Sequence, residues 1–227
     1  MYRLVRDEQR VSEIVTTEEP DYAFHIKSEV ERHSEFPEML VIHVTAEDEE
    51  YFEKPSAHLK ALHITTLEDG FPGRDYFHLF DVESRDACDA YEVIYNNKQK
   101  IRNVLGTEHL FGDPEAYLVI EDISVDEECR GLGLALRLIR EAMQVFGYWP
   151  STMSILKAYP LDDESNDPTF DDIRSLANYY MSDKNLGFKE IDPINELGWL
   201  VALGDDPYYL TEEEAFFSGK PKGKSSG

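Results

Sequence analysis

The feature that most constrains the fold is a glycine-rich junction, written AYLVIEDISVDEECRGLGLALRLIREAMQVFG over residues 116–147. Branched apolar residues over 116–125 predict a strand, and the acidic residues after them predict a short turn. Apolar residues then recur every three or four positions over 134–146, which predicts a helix. Glycine inside a helix costs about 1 kcal/mol relative to alanine. Gly131 and Gly133 therefore indicate that a backbone without side chains serves a function where this helix begins.

A junction of this kind is suited to holding an anion. The first N–H groups of a helix have no intrahelical partner, point toward one spot and are reinforced by the helix dipole. The segment has no Gly-Lys-Ser/Thr, as a Walker phosphate loop requires, and Leu136 stands where the dinucleotide-binding pattern needs its third small residue. The pattern it does contain is Arg-x-x-Gly-x-Ala, from Arg130 to Ala135.

The rest of the chain alternates strand and helix patterns. Strands are predicted over 39–45, 59–67, 152–159, 187–191 and 198–204, and helices over 84–105 and 173–181. Ser84 is of the residue type that caps the start of a helix. Strands alternating with helices predict an α/β, or α+β layered, domain.

Charge is the extreme property of the composition. The chain has 47 acidic and 22 basic residues, a net charge of −25. Such a field disfavours nucleic acid and favours cationic partners, although solubility alone is an alternative explanation.

The sequence carries no membrane-span or metal-site pattern. No apolar run approaches the roughly 18 residues of a spanning helix, and Met1 to Arg10 are too charged for a signal peptide. Two cysteines and seven scattered histidines show no metal-ligand spacing. We therefore expect no membrane partner, no metal and a cytoplasmic location.

The order of strand, RGLGLA turn, long helix, strand, helix and "LGF" resembles the GNAT acyltransferase superfamily. The resemblance covers about residues 116–204, the expected CoA-binding core. Residues 1–115 match only loosely, as the N-terminal part of the domain with acidic insertions, and 205–227 form a low-complexity tail. The resemblance implies a mixed, mostly antiparallel central sheet flanked by helices on both faces.

The resemblance also implies a cofactor, acetyl-CoA, used as a co-substrate. In this family the Gln/Arg-x-x-Gly-x-Gly/Ala turn binds the pyrophosphate, and the strand before the turn receives pantetheine. The implied cofactor-binding residues are Ile123, Ser124, Val125, Arg130, Gly131, Leu132, Gly133, Leu134 and Ala135.

Proton transfer in such a reaction needs a base and an acid. Counting by twos from Val125 predicts that Ile123, Glu121 and Val119 share one strand face, with Asp122 on the other. The resemblance implies a base four or six residues before Val125, and since Val119 cannot serve, Glu121 is the predicted general base. A partly exposed carboxylate without a catalytic role is the alternative.

The resemblance also implies a tyrosine acid in the helix before "LGF". Tyr180 is the first choice and Tyr179 the second, because an insertion before Gly187 leaves the register open. A structural role for both tyrosines is the alternative.

The sequence thus predicts an acyl-CoA-dependent N-acyltransferase that modifies a primary amine on a small molecule or protein, acting as a monomer or homodimer. The acceptor is expected to be cationic, because the acid-rich segments 45–53 and 161–172 add to the overall charge. The alternative is a non-catalytic GNAT-like module whose acidic surface binds a basic protein.

Overall fold

The described part of the chain contains eight strands, which form one sheet. A computed structural model describes residues 13–16, 24–36, 38–48, 55–66, 77–81, 84–107, 114–147, 152–160 and 168–204. The acidic residues 49–53 and 161–167, the turn 69–75 predicted from its glycines and proline, and the tail 205–227 lie outside the described residues.

The elements follow one another as four strands, three helices, and then strands alternating with helices. They are β1 Glu13–Thr16, β2 Phe24–Arg32, β3 Met39–Asp48, β4 Ala57–Thr65, α1 Phe77–Asp81, α2 Arg85–Asn96, α3 Lys98–Leu105, β5 Ala116–Val125, α4 Leu134–Ala142, β6 Thr152–Lys157, α5 Phe170–Ser182, β7 Lys189–Asp192 and β8 Glu196–Leu203.

The strand order in the sheet is β1-β2-β3-β4-β5-β6-β8-β7. Neighbouring strands run antiparallel, except β5 and β6, which are parallel. A parallel pair requires a crossover connection, which α4 supplies here. This mixed, mostly antiparallel sheet confirms the fold class predicted from the sequence.

Helices cover both faces of the sheet, and each face has its own apolar core. One face, called the α4 face, packs α4 and α5 through buried residues such as Leu138, Ile139 and Ala177. The opposite face, called the α2 face, packs α1, α2 and α3 through residues such as Ala90 and Ile94. The three-four apolar spacing of each helix becomes the stripe that is buried against the strands.

All three predicted helices differ from the structure in their bounds. The helix predicted over 84–105 is two helices that meet at Asn97, whose side-chain amide donates to Val93 O and to Glu196 Oε1 at 3.0 Å each. The helix predicted to reach Phe146 is α-helical only to Ala142 and continues as a π-helical turn, Met143–Gly147. Local hydrogen-bonding choices of this kind leave little trace in apolar periodicity.

The third difference is a helix start that the sequence does signal. A capping box begins α5 at Phe170, because Thr169 accepts from the Asp172 N–H while the Asp172 carboxylate accepts from the Thr169 N–H. These hydrogen bonds lower the pKa of Asp172.

Among the described residues, no helix is long and apolar enough to cross a membrane.

The contact between α5 and β8 depends on Gly198, which has φ +79°. A Cβ there would lie 2.7 Å from Ile173 Cγ2 and 2.9 Å from Ala158 O. We expect Gly198→Ala to lower the free energy of unfolding by about 1–3 kcal/mol more than Gly187→Ala. Gly187 has φ +67° but open space around a Cβ, so it reports the backbone strain alone. Urea unfolding of both variants measures the difference, and equal losses would contradict the packing argument.

Candidate active site where β5 and β6 diverge

The parallel pair of strands opens into a cleft partway along β5. The pairing runs from Ala116 opposite Thr152 to Ile120 opposite Leu156. β6 then ends at Lys157, whereas β5 continues to Val125. On its other edge, β5 remains paired with β4 as far as Val125. Beyond Ile120, no strand of the described chain pairs with the β6 side of β5, so backbone groups of this segment line the cleft.

The glycine junction lies directly beyond this open edge. Gly131 has φ +82° and Gly133 has φ +74°, a conformation that glycine adopts without the steric penalty of a Cβ. A Cβ built on either glycine meets no protein atom within 4 Å. The Leu134 and Ala135 N–H groups, which have no intrahelical partner, follow directly after this open turn. Arg130, at the same turn, is exposed, and its Nε donates to Val125 O at 3.4 Å.

Tyr179 connects α5 to this junction. Its half-buried phenol accepts a hydrogen bond from the Leu136 N–H in the first turn of α4. Burial raises the pKa of Tyr179, and the hydrogen bond from Leu136 partly opposes that rise. The structure thus brings Tyr179, the second choice for the acid, to the helix start where the predicted cofactor-binding residues lie.

Tyr180, the first choice, is instead part of the core on the α4 face, with 6% of its surface exposed. Burial raises the pKa of Tyr180 well above its ordinary value, and Tyr179 and Asp122 add to the rise. Its phenol is therefore a weaker acid than an ordinary tyrosine. The catalytic roles of both tyrosines stay predictions.

A β-bulge changes which side chains of β5 share a face. Lys60 of β4 opposes Asp122, and the next residue of β4 opposes Ile120, so Glu121 is the extra residue. The prediction that Ile123, Glu121 and Val119 share a face, with Asp122 opposite, is therefore wrong. Ile123 packs on the α4 face, whereas Glu121 and Asp122 both oppose Lys60 on the α2 face. Counting by twos fails because a bulge resets the alternation of side chains.

Glu121 is held from two sides. Its Oε1 accepts a hydrogen bond from the Ser84 hydroxyl, and its Oε2 lies 2.9 Å from Lys60 Nζ. Only 4% of the Glu121 side chain is exposed, compared with 26% for Lys60. Ser84 also caps α2 by accepting from the Ala87 N–H. Glu121 therefore joins the sheet to the start of α2, a role that the sequence did not indicate.

The α2 face also carries an acid-lined cavity of about 270 Å³. Asp89 and Glu92 of α2 line it together with Glu196 of β8 and the indole of Trp199. Lys157, the last residue of β6, is the one basic residue among the lining residues of this cavity. Since β5 and β6 part just before Lys157, the cavity lies beside the cleft end of β6.

Arg140 of α4 is paired with an acid just beyond the end of α5. Its guanidinium donates to Asp183 Oδ2 at 2.7 Å, which ties α4 to the end of α5.

The architecture is consistent with a GNAT-like fold. The sequence matches no protein-family model, and no curated protein is significantly similar to it. A solved structure with a similar chain path is arylalkylamine N-acetyltransferase 2 from Aedes aegypti. It is 13% identical, has a TM-score of 0.38, and is matched over 72% of this chain and 73% of its own. A likeness of this size establishes neither a shared family nor a shared activity.

The ion pair of Lys60 with Glu121 generates a stability prediction. We expect Lys60→Met to lower the free energy of unfolding by about 3 kcal/mol, because it leaves a buried carboxylate unpaired. Adding Glu121→Gln should recover at least half of that loss. Lys27→Met, which breaks the more exposed ion pair with Glu47, should cost less than about 1 kcal/mol. Urea unfolding provides the comparison, and equal losses for the two lysine variants would show that burial of Glu121 does not matter.

Proposed function

We propose that this protein is an acyl-CoA-dependent N-acyltransferase. The observation that carries the proposal is the unpaired β6-side edge of β5 over 121–125, which leads directly into the glycine turn at the start of α4. An open strand edge supplies hydrogen bonds to an amide-containing chain, and a helix start supplies them to a phosphate. Pantetheine carries amides and CoA carries a pyrophosphate, so one ligand matches both parts.

The residues present fit CoA. The N–H groups of Gly131, Gly133, Leu134 and Ala135 would hold the pyrophosphate with Arg130 beside them, while the Leu132 N–H donates to Cys129 O. The backbone of Ile123, Ser124 and Val125 would hold pantetheine. Acetyl-CoA, the default acyl donor, would supply an activated thioester carbonyl at the cleft.

The net charge of −25 does not prevent this binding. Exposed charges farther away than a Debye length of about 8 Å are largely screened at physiological salt. Donors in hydrogen-bond contact with a phosphate are not screened, and each charge-assisted bond contributes about 1.5–3 kcal/mol. The local donors therefore outweigh the distant acids.

The cofactor site is tested by a matched pair of glycine variants. Gly133→Ala places a methyl group in the open space proposed for the phosphate, so we expect CoA affinity to fall at least tenfold. The control is Gly106→Ala, because Gly106 at the end of α3 has the same left-handed conformation (φ +73°) and equally open surroundings. Its CoA affinity should stay within about twofold of that of the parent protein. Both variants should show the same backbone strain of about 1–2 kcal/mol. Calorimetric titration with CoA measures both, and equal affinities would remove the phosphate role of the turn.

The reaction requires the acceptor amine to lose a proton. An amine with a pKa near 10.4 costs about 4–5 kcal/mol to deprotonate at pH 7, at 1.36 kcal/mol per pH unit. Glu121 remains the predicted base, although its contacts with Ser84 and Lys60 must loosen for it to accept a proton. For the departing thiolate, the geometry favours Tyr179 as the proton donor, because its hydroxyl lies at the junction while Tyr180 is in the core.

We further propose that the acceptor is cationic. Support comes from the cavity beside the cleft, where the three carboxylates of Asp89, Glu92 and Glu196 outnumber the single ammonium of Lys157. Complementary charge of this kind mainly accelerates association and is weakened by salt.

An assay of thiol release with a set of amines tests turnover and acceptor charge together. We expect polyamines or lysine-rich peptides to be preferred, with kcat/KM falling steeply between about 20 and 300 mM salt as the Debye length shrinks. Asp89→Asn combined with Glu92→Gln should flatten this dependence, whereas Asp171→Asn, an exposed acid at the start of α5, should not.

Two other outcomes separate the proposals. If the preferred acceptor is neutral or anionic, the proposal of a cationic acceptor fails, and the net negative charge of the chain is explained by solubility alone. CoA binding without thiol release from any amine would favour the alternative, a GNAT-like binding module that holds a basic protein.

A further inference from the structure

Four titratable side chains form a line across four adjacent strands on the α2 face. Asp122 lies on β5, His58 on β4, His43 on β3 and Glu31 on β2. His58 Nδ1 is 3.9 Å from Asp122 Oδ2, His58 Nε2 is 3.2 Å from His43 Nδ1, and His43 Nε2 is 3.9 Å from Glu31 Oε1. Each imidazole thus uses both of its nitrogens, one toward each neighbour in the line.

The line leads from the cleft toward solvent. Asp122 belongs to the segment of β5 that β6 no longer pairs. At the far end, the side chain of Glu31 is 65% exposed, more than the 42% of Asp122, the 33% of His58 and the 32% of His43. The 3.2 Å contact is a hydrogen bond, and a small side-chain rotation would bring each 3.9 Å pair within hydrogen-bond distance.

We propose that Asp122, His58, His43 and Glu31 form a proton relay that carries the proton of the acceptor amine from the cleft to solvent. The inference rests on the proposed acyltransferase function and names a proton path that includes none of the predicted catalytic residues. It is an alternative to Glu121 as the base, because it deprotonates the amine while Glu121 stays held by Ser84 and Lys60.

The proton balance is simple. A proton leaving the ammonium by way of Asp122 enters His58 at Nδ1, and His58 releases its Nε2 proton to Nδ1 of His43. His43 then releases its own Nε2 proton to Glu31 or to water. One proton reaches solvent per amine deprotonated, and both rings end with the proton on Nδ1. Exchange with water at the exposed ring edges restores the starting tautomers.

The surroundings of His58 favour its neutral form. Burial lowers the pKa of His58 below 6.5, the charge of His43 and that of Lys60 lower it further, and Asp122 opposes them. In register, Glu29 of β2 and Lys60 of β4 oppose His43, while Thr45 of β3 and Ser124 of β5 oppose His58. A neutral imidazole at pH 7 accepts a proton and passes one on, as a relay requires.

The first arm of the test is thiol release with saturating acyl-CoA and amine. At pH 7 we expect His43→Gln and His58→Gln each to lower kcat at least tenfold, with CoA affinity unchanged. The loss of kcat should become smaller as the pH approaches the pKa of the acceptor amine, because more of the amine is then already deprotonated. Added imidazole should restore activity to His43→Gln. His25→Gln is the matched control, because His25 projects from β2 on the same face, outside the line. Loss of activity in His58→Gln alone, or no loss in either, overturns the relay.

The second arm does not need turnover. Titration of the imidazole ¹⁵N signals should show that His43→Gln raises the pKa of His58, since it removes a repelling charge, and that His25→Gln does not. An unchanged His58 titration would overturn the contact on which the relay depends. A third outcome is that the parent protein binds CoA and that its two histidines titrate as a coupled pair, but that no amine causes release of thiol from acyl-CoA. In that case the acyltransferase proposal has failed, and the relay fails with it.

Discussion

The bulge in β5 is the constraint on which the geometry of the candidate site depends. Up to Ile120, β5 is an ordinary interior strand, paired with β4 on one side and β6 on the other. At Glu121 one extra residue enters, and the strand bends as its twist increases. The bulge coincides with the end of the β6 pairing, so the last five residues of β5, Glu121–Val125, have one free edge. The glycine turn and α4 begin from the end of that edge.

The same bulge separates two chemical environments. Ile123 and Val125 turn toward the α4 face, beside the helix start that is suited to anions. Glu121 and Asp122 turn toward the α2 face, where Glu121 pairs with Lys60 and Asp122 lies near His58. On the proposed function, a strongly acidic protein would bind a polyanion on one side of a strand and a cation on the other. A short distance and a direct hydrogen bond then matter more than the net charge of the chain.

Much of the architecture could be predicted, because it depends on local patterns. The strand over 116–125 was predicted with the bounds that the structure has, and α4 begins at the predicted Leu134. Strand β2 was missed, although it alternates polar and apolar residues, because its acids and lysine make it look like a solvated segment. In the structure, the apolar side chains of β2 are buried in the core, because α4 covers one face of this strand.

What the sequence by itself determined is the junction. Two glycines between an apolar strand and an amphipathic helix leave the backbone few alternatives, because the conformational freedom of glycine and apolar periodicity both act within a few residues. Only the tertiary structure decided which side chains meet. The bulge moved Glu121 and Asp122 to one face, and Lys60 and Ser84 reached Glu121 from distant parts of the chain. His43 and His58 became neighbours because β3 and β4 pair in one particular register. Strand register and bulges are set by the packing of the whole sheet, so no local window of sequence contains them.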